Sequence, residues 1–143
     1  MVCHANTARS VMAQVLLERM LTRYGADGAI RVKSGGIANY ARDGMIASLD
    51  ARLALREDGI HLAEDAFAST DLKRHRHLLA EADVILTMTG RQKQMLDAFD
   101  EARGRPVFTL REFVGEDVFR ACRDEIKRCL EKSVPRLLMI LSG

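Results

Sequence analysis

Cys3, Arg9 and Ser10 stand around five mostly small residues, His4-Ala5-Asn6-Thr7-Ala8, immediately before an amphipathic stretch. A helix start presents unpaired N–H groups and the positive end of a dipole. A loop placed there gathers anions, phosphate above all, and the same field favours the thiolate form of a cysteine. A thiolate so placed attacks phosphorus in line and forms a cysteinyl-phosphate. Loop N–H groups and the planar Arg9 fork then hold the equatorial oxygens, where transition-state charge collects. Ser10 is expected to hydrogen-bond the sulfur. Asn6 suits a left-handed position that turns the loop N–H groups inward. The competing reading is an inert buried cysteine near a surface arginine. Placement between a strand remnant and a helix weighs against it, because an anion loop requires that geometry.

The rest of the chain alternates short apolar runs with amphipathic stretches. Residues 10–24 carry Val11, Val15, Leu16 and Met20 on one helical face, with Gly25 as the stop. Residues 30–34 alternate as a strand, and residues 43–58 form a helix closed by Gly59. A further helix is expected over 71–82 with Asp71 at its N-cap. Residues 83–88 are apolar on both faces, as a central parallel strand should be. Residues 90–101 read as helix, 106–110 as strand and 117–133 as a long amphipathic helix. Strands alternating with helices give an α/β fold with a parallel sheet. Only Met1 and Val2 precede the loop. The first strand is therefore expected to be truncated, unusually short, or completed by residues outside this sequence.

A length of 143 residues fits a single domain with one core. The 22 Lys+Arg balance 20 Asp+Glu, so the charge gives no footprint for nucleic acid. No apolar run approaches a membrane span and no signal peptide is evident. Three cysteines, Cys3, Cys122 and Cys129, suit a reducing cytoplasm better than a disulfide framework. The last two are expected to be small buried hydrophobes rather than a thiol relay. His61, His75 and His77 have no metal-site spacing, and the run at 72–77 reads as a solvated face. The chemistry calls for no metal or cofactor, because Arg9 and the N–H groups supply the positive field.

The sequence VCHANTARSVMA at 2–13 resembles the signature of the low-molecular-weight protein tyrosine phosphatases, V-C-x-G-N-x-C-R-S-P-M-A. The likeness continues through Ser34-Gly35-Gly36, Gly59-Ile60, ADVILTMT at 82–89, PVFTLREFVG at 106–115 and CRDEI at 122–126. It implies three layers, with a four-stranded parallel sheet flanked by helices in a flavodoxin-like, phosphotyrosine phosphatase I architecture. The active loop would lie at the carboxyl end of the first strand, in keeping with the rule for open α/β sheets. By position, Cys3 is the nucleophile and Arg9 the phosphate binder. Residues His4, Ala5, Asn6, Thr7, Ala8 and Ser10 line the anion, and Asn6 and Ser34 fix the loop. Tyr40 falls near an aromatic or apolar pocket wall, though a surface tyrosine fits it equally well. The implied activity is hydrolysis of phosphotyrosine on proteins.

The chain departs from the pattern in several places. The family's general acid lies in an Asp-Pro-(Tyr/Phe) loop, and no Asp-Pro occurs here. The resemblance leads one to expect roughly a dozen more residues near Gly115-Glu116-Asp117, a loop length that this sequence lacks. Either the sequence closes over an exposed acid loop of the kind that moves with substrate, the reading favoured here, or the loop is absent and Asp117 or Glu116 takes its role. Both residues also suit a helix N-terminus. Ala5 replaces a Gly, Ala8 a second Cys and Val11 a Pro. Without a thiol at position 8, Cys3 lacks a neighbouring disulfide partner against over-oxidation. Thr7 matches the arginine-directed phosphatases, whereas tyrosine-directed members often carry Ile or Leu. Three further readings stay open: a protein arginine phosphatase, an arsenate reductase, and a phosphate-binding module without turnover.

Overall fold

The computed structural model describes residues 1–114 and 123–141. Four parallel strands, β1 (Val2–Cys3), β2 (Gly35–Gly36), β3 (Ile85–Thr87) and β4 (Val107–Thr109), lie in the order β2-β1-β3-β4. Among the described residues, six α-helices connect and cover them: α1 (Arg9–Arg23), α2 (Leu49–Glu57), α3 (His77–Glu81), α4 (Gly90–Met95), α5 (Leu110–Val114) and α6 (Arg123–Leu141). The expected four-stranded parallel sheet flanked by helices is the observed fold.

Successive strand residues point to opposite faces, and this sorts the core into two layers. Cys3 and Leu86 join α1, α2 and α6 in one apolar cluster. Val2 and Ile85 join Leu72, Leu79, Leu96 and Phe99 in the other. α1 ends as expected. Gly25 has φ 69°, Ala26 N–H donates to Leu21 O at 2.8 Å and Gly25 N–H to Thr22 O at 3.1 Å. This is the paired closure that a left-handed residue permits.

Several elements differ from the sequence expectation, each through a tertiary contact. The strand expected at 30–34 pairs only at Gly35–Gly36, beside the two-residue β1. The helix expected from residue 43 begins at Leu49, capped by Ser48 Oγ accepting from Ala51 N–H at 3.1 Å. Residues 42–45 are zippered instead to Ser69: Met45 N–H donates to Ser69 Oγ at 2.9 Å and Gly44 N–H to Ser69 O at 2.9 Å. Asp71 is not an N-cap. It bridges to Gly36 in parallel, and its N–H donates to Asp43 Oδ1 at 2.7 Å. Helix there is confined to His77–Glu81. The stretch after β3 gives α4 and then two 3-10 turns, Leu96–Ala98 and Asp100–Ala102.

The last helix does not stop near Ser133 but runs to Leu141 through Pro135. An internal proline costs an N–H bond and strains the turn, about 3 kcal/mol. Burial of Val134 and Leu137 offsets this. So does Arg136, which donates to Phe113 O at 2.7 Å and lies 4.3 Å over the Phe113 ring. Cys129 is buried in the core, as expected of a small hydrophobe. No helix among the described residues is long and apolar enough to cross a membrane.

Candidate active site

Cys3 ends β1, and the loop after it leads into the N-terminus of α1, which Arg9 opens. Ala8, at the N-cap, offers no side chain to the first turn, so no side-chain cap competes for its N–H groups. The sulfur is buried and receives the Asn6 N–H at 3.2 Å, with Ser10 Oγ 2.9 Å away. Asn6 has φ 61°, the sole positive value among the described non-glycine residues. Ala5 in place of the family's glycine is therefore free of that strain.

Proton directions in this network follow from its members. Asn6 Nδ2 donates to Ser10 Oγ at 2.7 Å and to Ser34 Oγ at 2.9 Å. Ser10 Oγ, accepting from Asn6, shares a proton with the Cys3 sulfur, and Ser34 donates to Gln14 Oε1 at 2.5 Å. Asn6 Oδ1 accepts Thr70 N–H at 2.9 Å. Asn6 and Ser10 are fully buried, so these bonds have no water in competition. Two polar groups of the loop thus converge on the sulfur and fix its position for in-line attack.

His4 lies on the other side of the loop, and its ring turns to neighbouring side chains. Gln92 Nε2 approaches His4 Nδ1 at 2.9 Å, and Arg9 NH2 lies 3.5 Å from the same atom. Burial, then the Arg9 charge, then that of Arg91 hold the imidazole below its usual pKa.

The loop is also braced from outside. Ser48 N–H donates to Thr7 O at 2.7 Å, which sets the start of α2 against the loop. Ala38 N–H donates to His4 O at 3.0 Å, which brings the Tyr40 turn alongside. Tyr40 itself is 65% exposed. Asp43, whose carboxyl is held low first by the Asp71 N–H and then by His75, ties that turn to the segment after Thr70. Gly36 backs the loop directly: a Cβ there would meet Ala5 C and His4 O, both at 2.7 Å. Gly36→Ala is therefore expected to displace the loop backbone. It should lower kcat/KM about 100-fold and destabilise by about 1–3 kcal/mol, as read by steady-state kinetics and thermal melting.

The structure thus brings together Cys3, His4, Asn6, Arg9, Ser10 and Ser34. Asp117, Glu116 and Cys122 lie outside the described residues. Sequence reasoning missed Gln92, Gln14 and Gly36 as supports. Gln92 had a legible signal: Thr89-x-x-Gln92 is a capping box, and the box is present at the start of α4.

Residues 1–138 match the family described as low molecular weight phosphotyrosine protein phosphatase. The chain is 33% identical, over 95% of its length and 93% of the relative's, to a protein-arginine-phosphatase of Geobacillus stearothermophilus. It is 30% identical, over 95% of its length and 92% of the relative's, to a probable low molecular weight protein-tyrosine-phosphatase, EpsP, of Ralstonia nicotianae. It superposes with a TM-score of 0.79 on a YwlE arginine phosphatase, a cysteine-to-serine mutant with a phosphorylated active site serine. That pair is 31% identical, covering 96% of this chain and 93% of the other. With that fold and these matches along nearly its whole length, the chain belongs to the low molecular weight phosphotyrosine protein phosphatase family.

Proposed function

We propose that the protein hydrolyses phosphoarginine on proteins, with Cys3 as nucleophile and Arg9 as the clamp on the phosphoryl group. The observation that carries the chemistry is the buried Cys3 sulfur with the Asn6 N–H donating to it and Ser10 Oγ 2.9 Å away, at the start of the helix Arg9 opens. The Cys3 thiolate attacks phosphorus, and the P–N bond to the guanidino group breaks. The leaving guanidine takes a proton from a general acid, because it leaves as a strong base. Asp117 is the candidate for that acid, by sequence position alone. Water then attacks phospho-Cys3, releasing inorganic phosphate and restoring the thiolate. A relative with phosphate on the residue replacing its cysteine supports a covalent intermediate.

The arginine reading replaces phosphotyrosine as the first choice because of the protein-arginine-phosphatase relatives at 33% and 31% identity. Thr7 in the loop agrees with it. The likeness to EpsP keeps phosphotyrosine as the second reading. The test compares kcat/KM on an activated aryl phosphate, a phosphotyrosine peptide and a phosphoarginine peptide. Phosphoarginine is expected to exceed phosphotyrosine at least about tenfold, a difference of about 1.4 kcal/mol. The reverse order would assign the enzyme to tyrosine. Turnover of the aryl phosphate alone would show a working nucleophile without an acid.

A further inference from the structure

His4 and Gln92 approach each other across the crevice between β1 and β3. This is the point where strand order reverses, and His4 follows β1 while Gln92 stands in the helix after β3. Gln92 is fully buried, and its Oε1 accepts two backbone N–H groups, from Met88 and Thr89, each at 3.0 Å. That fixes the amide. Reversed, its NH2 would face two donors and leave itself and the Thr89 N–H unsatisfied, while Met88 N–H would keep Val2 O at 3.0 Å. Nε2 is therefore a donor toward His4 Nδ1 at 2.9 Å, so Nδ1 must carry a lone pair and the ring proton sits on Nε2. The same lone pair faces the Arg9 guanidinium at 3.5 Å. Burial, then the positive charges of Arg9 and Arg91 near the ring, oppose its protonation.

We propose that Gln92 and His4 form a latch that positions Arg9: the carboxamide locks His4 as the neutral Nε2–H tautomer, and His4 Nδ1 steadies the guanidinium. The proposal rests on Arg9 being the oxyanion clamp. Its cost to function when broken follows from geometry. A guanidinium on a flexible stem delivers both oxygens' bonds only when its plane is held. Neither His4 nor Gln92 is required to touch the substrate.

Two measurements test it. Nitrogen-15 spectra of the imidazole should show His4 with Nδ1 unprotonated and Nε2 protonated at neutral pH. An Nδ1–H tautomer or an imidazolium would overturn the latch. Next, wild type, His4→Leu and His4→Asn are compared for kcat, KM and the dissociation constant of inorganic phosphate. Asparagine places an acceptor oxygen near the position of Nδ1 and leucine places none. His4→Leu is expected to weaken phosphate binding and to lower kcat/KM, each about tenfold, the usual loss for one bond to a charged group. His4→Asn should recover most of that loss. In an Arg9→Lys background, His4→Leu should add little further loss of phosphate binding, because the group it steadies is gone. Equal losses for Leu and Asn, or full additivity with Arg9→Lys, would overturn the proposal and make His4 merely structural. If wild type hydrolyses no phosphoester or phosphoramidate, it is the phosphatase reading that fails, while the spectra still report on the tautomer.

Discussion

Cys3→Ser is expected to abolish turnover while leaving the fold and phosphate binding in place. A serine alcohol is far harder to ionise than a thiol, and once phosphorylated it leaves phosphorus poorly. Both steps of the reaction suffer. Loss of a nucleophile costs on the order of 10⁴-fold or more in kcat, about 5.5 kcal/mol. The substitution removes little volume, and the Asn6 N–H and Ser10 still find an oxygen to bond. Melting temperature should therefore stay close to that of wild type. Incubation with phosphorylated substrate followed by intact-mass spectrometry should find phosphate trapped on the new serine. Turnover by Cys3→Ser near the native rate would exclude a cysteinyl-phosphate.

Arg9→Lys is expected to lose catalysis despite keeping the charge. Lysine offers a point charge at the end of a stem, and the planar fork cannot be imitated. Removing one transition-state oxyanion donor costs about 10²–10³ in kcat, and loss of bidentate geometry belongs in that range. Arg9 opens α1 and is half-buried, so Arg9→Lys should fold normally. KM for a phosphorylated peptide should rise as kcat falls, because ground state and transition state both use the fork. A near-native kcat in Arg9→Lys would reduce Arg9 to a bulk electrostatic role.

The chemistry of the loop was legible because it is local. Cys3, Asn6, Arg9 and Ser10 lie within eight consecutive residues, and each type has one evident use at a helix start. Ser34 was legible only through resemblance, since nothing in its own surroundings points to Asn6. The supports that come from afar were not read. Gln92 serves as a cap in its own helix and as a donor to a residue 88 positions away, and only the first of these is written in a four-residue pattern. Helix propensity at 43–48 lost to pairing with Ser69, and at 71–76 to the Asp71 bridge with Gly36. Alternation at 30–34 marks an extended segment well enough, but a strand also needs a neighbour, and β1 pairs only at its two residues. The acid was read from family position, and its candidate stands outside the described residues.

The reach of Asn6 has a consequence for how the protein becomes active during synthesis. One side chain joins Ser10, Ser34 and Thr70, the last two 28 and 64 positions away, and the crevice beside it closes with Gln92. Contacts of such separation form only after large chain loops have closed. A nascent chain that has not yet reached Gln92 has the cysteine but not the scaffold that seats it. Until then Cys3 lacks the loop that holds its sulfur against Asn6 and Ser10. A phosphate ion that binds only the completed loop stabilises the finished protein alone, so recovery of anion affinity would be among the last events in refolding.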